Sequence, residues 1–262
     1  MFYILMSLKI FAIQFIKLLI FFLLFTLIIA TVTLLERKIL SLVQRRVGPQ
    51  YVGYKGRLQF IADALKLLVK HITVISKVTR LLILGIPALI LIVSYLFWVN
   101  LVWGPNIMVC EIEYNLFLMG LISLFFSMLL LVVGWVSNNK YAILASNRVI
   151  VTSLNLEILL NFMIIFILVI SESLSFFQIT AIQGNFKWLL FVYLPIFPIF
   201  LLIFLLETGR IPFDLAEAES ELIAGFTVEY GGFFFALFYL GEYFHLYCFS
   251  VVYTLCFLGG WY

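Results

Sequence analysis

Six of the thirteen acidic side chains fall within one stretch, ETGRIPFDLAEAESELIAGFTVEY, from Glu207 to Tyr230. Glu207, Asp214, Glu217, Glu219, Glu221 and Glu229 share it with a single basic residue, Arg210, so most have no local ion-pair partner. Crowded carboxyls raise one another's proton affinity, because ionising a second beside a first is unfavourable. The chemistry on offer is proton uptake and release, or capture of a cation supplied from elsewhere. Two further acids interrupt apolar runs: Glu157, and Glu242 with Tyr243 and His245 beside it. An ionised carboxylate in hydrocarbon costs on the order of a few kcal/mol, so acids in such places line wet or protein-buried paths. His245 by itself reads as a packing residue, since its run holds no second histidine.

The elements that hold or flank these acids are membrane helices. The chain of 262 residues is 65% hydrophobic and 11% charged, with mean hydropathy +1.21. Soluble domains carry about 25% charged residues. Apolar runs near the ~20 residues that cross a bilayer lie at 10–35, 81–103, 116–136, 149–170, 188–206 and 232–259. The first is too long for the core of a signal peptide, and no small-residue cleavage site follows it. The expected fold is all-α: a polytopic transmembrane helix bundle of about six spans, forming a single membrane domain over 1–262. Ten of the sixteen basic residues lie in the loop 36–80, and Lys140, Arg148 and Arg210 put loops 137–148 and 207–230 on the same side. Basic loops stay on the side of insertion, so the acidic stretch faces cytoplasm or mitochondrial matrix.

Loop 36–80 opens with Glu36, Arg37 and Lys38; Glu36 can pair with Lys38 at the membrane edge. Gly48, Pro49, Gly53 and Gly56 then demand turns. From Leu58, apolar residues at Ile61, Leu65, Leu68 and Ile72 recur at helical spacing opposite Gln59, Asp63, Lys66 and Lys70. This predicts an interfacial amphipathic helix, with Asp63 paired to Lys66 or facing a polar cavity. In the acidic stretch, Pro212 suits a helix entrance, and Asp214 with Glu217 makes a capping pair. Asp214, Glu217 and Glu221 share one helical face and Glu219 points elsewhere. Cys110, Cys248 and Cys256 lack metal-ligand spacing and read as packing residues. The net charge of +3 comes without a nucleic-acid-binding pattern. No inverted repeat of the kind many carriers show is visible.

Three motifs carry a family resemblance: ERKILSLVQRRVGPQYVGYKGRLQFIADALKLLVK from Glu36 to Lys70, the block of Trp135, Asn138, Lys140, Tyr141, Arg148 and Glu157, and the acidic stretch followed by Glu242 and Tyr243. On these the chain resembles, over nearly its whole length, the subunit 1 family of the membrane arm of respiratory complex I, NADH:ubiquinone oxidoreductase. The resemblance implies a junction between a hydrophilic redox arm and a proton-pumping membrane arm. Ubiquinone is then a substrate, with flavin and iron–sulfur clusters in partner subunits and no metal site or covalent cofactor here. Arg37, Gln44, Arg46, Asp63, Arg210 and Phe213 would shape the quinone path. Glu36, Arg148, Glu157, Glu207, Asp214, Glu217, Glu219, Glu221, Glu229 and Glu242 would form the proton route.

The implied partners are other membrane-arm subunits, the quinone-reducing subunits of the hydrophilic arm, and lipids. The implied location is the mitochondrial inner membrane or a bacterial plasma membrane. The family usually has eight spans, so either the last two helices are absent or a short separate polypeptide supplies them, and the second is the favoured expectation. Departures from the family pattern stand at His71, Gly209, Ala218, Thr227 and residues 152–156. Competing readings are the equivalent membrane subunit of an energy-converting hydrogenase, an autonomous ion carrier, and a purely structural scaffold.

Overall fold

The computed structural model describes residues 2–71, 80–105, 107–109, 112–185, 188–192, 194–210, 213 and 225–262. It divides into two units, Met1–Lys70 and His71–Tyr262.

In the first unit, helix α1 runs over Phe2–Val43. Its 42 residues at ~1.5 Å each give a rod of roughly 60 Å, about twice the hydrocarbon thickness. The helix therefore does not stop where the apolar run does. Glu36, Arg37 and Lys38, expected to open a loop, ride on its last turns instead. Arg45 then adopts a left-handed conformation (φ 53°), and its neighbour Arg46 bonds back to Ser41 O at 2.9 Å. In the turn that follows, Gly56 has φ 71°, and a Cβ there would stand 2.1 Å from Pro49 O. Only glycine fits. Helix α2, Gln59–Val69, comes next, with Ile61, Leu65 and Leu68 exposed. An exposed apolar stripe on so short a helix suits the interfacial role read from the sequence.

The second unit contains α3 (Arg80–Val99), a two-stranded hairpin of β1 (Val102–Gly104) and β2 (Ile107–Met108), α4 (Asn115–Ser137) and α5 (Lys140–Ser171). The helices α6 (Phe176–Asn185), α7 (Leu189–Val192), α8 (Ile196–Glu207) and α9 (Phe233–Phe257) follow. Among the described residues, five helices are long and apolar enough to cross a membrane: α1, α3, α4, α5 and α9. The fold is all-α and polytopic, as expected, but two boundaries differ. Residues 137–148 are not a loop, because Asn138 turns the chain in a left-handed conformation and α5 starts at Lys140. The run 188–206 is not one continuous helix; α7 holds four residues, and Pro195 sets the entrance of the twelve-residue α8.

A core of buried side chains joins α3, α4, α5, the turn at Gly225–Thr227 and α9, with Ile86, Ile90, Phe126, Val133, Phe226 and Phe238 among its members. Polar clamps fix the helix ends: Trp98 Nε1 donates to Phe244 O at 2.8 Å, and Gln183 Nε2 donates to Leu255 O at 2.8 Å. Many of the 29 phenylalanines act as filler here; Phe97, Phe176, Phe238, Phe244, Phe249 and Phe257 are fully enclosed. Between helices in lipid there is little hydrophobic driving force, so close van der Waals packing of this kind is what holds them.

Candidate functional site

Small residues let α4 and α5 approach. Gly120, Ser123, Ser127 and Gly134 recur at helical spacing on α4, opposite Ala142, Ala145, Ser146, Ser153 and Glu157 on α5. A Cβ on Gly134 would meet Ser146 Oγ at 2.1 Å and Ala142 O at 2.7 Å. Glu157 projects into this seam and is 3% exposed. Its Oε1 is hydrogen-bonded with Ser123 Oγ, while Oε2 is buried without a partner among the described residues.

A second acid approaches from α8. That helix ends in a Schellman turn: Gly209 is left-handed (φ 59°), its N–H bonds Leu206 O at 3.2 Å, and the N–H of Arg210 bonds Leu205 O at 3.3 Å. The turn leaves Glu207 half-buried with its Oε2 enclosed and without a partner among the described residues. Helix α8 packs against α5, the helix that carries Glu157. Beyond the turn, the Arg210 guanidinium lies 4.7 Å from the centre of the Tyr243 ring, within cation–π range. Tyr243 shares a 3.1 Å hydrogen bond with Tyr239.

These groups border a cavity of about 260 Å³ between α4, α5, the end of α8 and α9, lined by Ser153, Glu207, Arg210, Phe213, Glu242 and His245 among others. The His245 ring is packed as expected, stacked on Phe126 at 4.5 Å and edge-on to Phe97 and Phe249, yet its Nε2 has no partner among the described residues. Glu229 belongs to a separate contact: Asn139 Nδ2 donates to its Oε1 at 2.7 Å, while Asn139 Oδ1 caps α5 by accepting from Tyr141 N at 3.1 Å. Next to Glu229, burial pushes the Tyr230 phenol up to about 12, which keeps it neutral at any physiological pH.

In the first unit, Arg37 Nη1 lies 2.5 Å from Asp63 Oδ2, and Gln59 Nε2 donates to Asp63 Oδ1 at 3.0 Å. Asp63 therefore pairs with Arg37 across 26 positions, not with Lys66 one turn away. Lys38 donates to Lys55 O at 2.7 Å. Glu36 is half-buried on α1; Gln44 and Arg46 are exposed just past its end. Arg148 is exposed on α5. Asp214, Glu217, Glu219 and Glu221, with the predicted helix entrance at Pro212, lie outside the described residues. Ser123 and Asn139 are site residues that sequence reasoning misses. The Gly120-Ser123-Ser127 stripe is the available signal, since small residues at helical spacing mark a close helix contact.

The profile of the NADH dehydrogenase family matches residues 16–262. The chain belongs to the NADH dehydrogenase family. It is 50% identical to NADH-ubiquinone oxidoreductase chain 1 of Paramecium tetraurelia over 236 residues, which is 90% of each chain. It is 35% identical to an NADH-quinone oxidoreductase subunit of Bordetella avium (strain 197N) over 243 residues, and 40% identical to the subunit of the same name in Polaromonas naphthalenivorans (strain CJ2) over 245. Those two alignments cover 89% of this chain and 68% of each bacterial protein. At Gly209, one of the departures from the family pattern, the backbone is left-handed, a conformation in which glycine is unstrained.

Proposed function

We propose that this chain, a membrane subunit of the complex I family, forms part of the quinone chamber of a proton-pumping NADH:quinone oxidoreductase and carries the start of its acid path. The observation that carries the reading is a pair of enclosed carboxyls, Glu157 in the α4–α5 seam with Ser123 and Glu207 on the cavity it shares with Arg210, Glu242 and His245, each with one oxygen that has no partner among the described residues. Quinone reduction takes up two electrons and two protons. Flavin and iron–sulfur clusters in partner subunits supply the electrons, and negative charge develops at the headgroup. Acids nearby must then change protonation, because each charge alters the cost of its neighbour's ionisation. Arg37, Gln44, Arg46, Asp63, Arg210 and Phe213 serve the quinone end, where arginine N–H groups suit a headgroup gaining negative charge. Glu207, Glu157, Glu229, Glu242, Asp214, Glu217, Glu219 and Glu221 serve the proton route, with Glu36 and Arg148 at its margins. The protein works as a multi-pass component of the mitochondrial inner membrane or a bacterial plasma membrane.

The test uses the assembled complex in sealed vesicles. Glu157→Gln and Glu207→Gln each remove a titratable proton while keeping size and polarity. Both are expected to abolish NADH-driven proton translocation and to leave ferricyanide reduction by the redox arm intact. Normal pumping in both variants would overturn the reading.

A further inference from the structure

The seam that holds Glu157 contains a hydroxyl with more contacts than protons. Ser123 Oγ lies 2.9 Å from Gly120 O and is also hydrogen-bonded with Glu157 Oε1. A serine hydroxyl has one proton to give and lone pairs to accept with. Gly120 O can only accept. When the Ser123 proton points at Gly120 O, the contact with Glu157 holds only if the carboxyl supplies its own proton. When Glu157 is ionised, Ser123 must turn its proton onto the carboxylate. Rotation of the hydroxyl about its Cβ–Oγ bond switches between the two arrangements.

Nothing else among the described residues offers Glu157 this service. Ser123 is fully buried, Glu157 nearly so, and Ser123 is its one side-chain hydrogen-bond partner among the described residues. The other enclosed acid, Glu207 at the end of the neighbouring α8, is another carboxyl and brings no stabilising charge. Gly120 also keeps the neighbourhood tight, because a Cβ there would lie 3.2 Å from Asn161 Oδ1.

We propose that Ser123 is a positioning residue for proton exchange at Glu157: a hydroxyl that stays bonded to the carboxyl in both protonation states by turning between it and Gly120 O. The inference rests on the reading that Glu157 exchanges protons during turnover. Without the hydroxyl, the ionised carboxyl would stand in the seam with neither oxygen bonded to any described residue, and its visits to that state would become rarer.

The test compares S123A, S123T and E157Q in the assembled complex, in sealed vesicles, with assembly checked by native electrophoresis. The rate of NADH-driven proton translocation is one readout. The other is the infrared carboxyl C=O band that E157Q removes, recorded in redox difference spectra. S123A should lower the coupled rate roughly tenfold, the size of one lost hydrogen bond to a charged group, and shift the Glu157 band. S123T, which restores a hydroxyl, should return both toward wild type. Where S123A does not assemble, S123C, a weaker donor of similar size, should show the same two changes. Wild-type pumping with an unshifted band in the serine variants, while E157Q fails, overturns the role of Ser123 and leaves the acid path standing. Normal pumping by E157Q overturns both.

Discussion

Asp63 and Glu157 are both acids on helices, and they solve the problem of carrying charge in opposite ways. Asp63 has a full counter-ion, Arg37, but the pair is open to the surroundings, with side chains 35% and 54% exposed. Exposed pairs of this kind are worth about 0–1 kcal/mol, so the contact is easily exchanged for another partner. Glu157 has no counter-ion among the described residues, only a neutral hydroxyl, and is almost wholly enclosed. A buried acid so placed changes state by gaining or losing a proton, whereas an exposed pair changes state by swapping partners. The first suits a proton relay and the second suits the mouth of a binding path.

The contrast between the two acids is broken most severely at the seam itself. Gly134→Val would push Ser146 and the Ala142 carbonyl away from α4, since even a Cβ falls within 2.7 Å of both. Overpacking costs ~1–3 kcal/mol, and here backbone must move as well. The expected outcome is loss of most assembled complex on native gels. In the milder G134A, added S146G should recover part of it; no recovery would mean that Ser146 is not the obstacle.

A smaller effect is expected at Asn139, which both caps α5 and holds Glu229. N139A should cost about 1 kcal/mol through the lost cap, read as a lower melting temperature. N139S keeps a capping oxygen without adding charge, so it should recover stability while losing the amide donor to Glu229. A melting temperature as low in N139S as in N139A would show that the cap is not what Asn139 contributes.

The smallest effect on stability belongs to the exposed pair. D63N should leave assembly and melting temperature unchanged, yet raise the quinone KM a few-fold by freeing Arg37 from its fixed position. A lowered melting temperature with an unchanged KM would place Asp63 among the structural residues instead.

How much of this is legible in the sequence differs by residue. Glu157 stands out because a carboxyl in an apolar run is costly wherever it lies. Ser123 does not, since a serine among leucines is unremarkable until α4 is laid against α5. Helical spacing gives Asp63 the nearest lysine, Lys66, because spacing within a helix is readable and the fold that brings Arg37 across 26 positions is not. The start of α5 is hidden by Lys140, Asn147 and Arg148, whose polarity looks like a loop although a helix can continue past the membrane edge. Hydropathy likewise reads 188–206 as one span, being blind to the break ahead of Pro195.

Helix α5 also acts as a ruler. Its cap, Asn139, touches Glu229, and Glu157 follows 18 residues later, which at ~1.5 Å per residue is roughly 27 Å. That is many times the reach of a hydrogen bond. A proton passing between Glu229 and Glu157 would therefore need intermediate carriers along the rod.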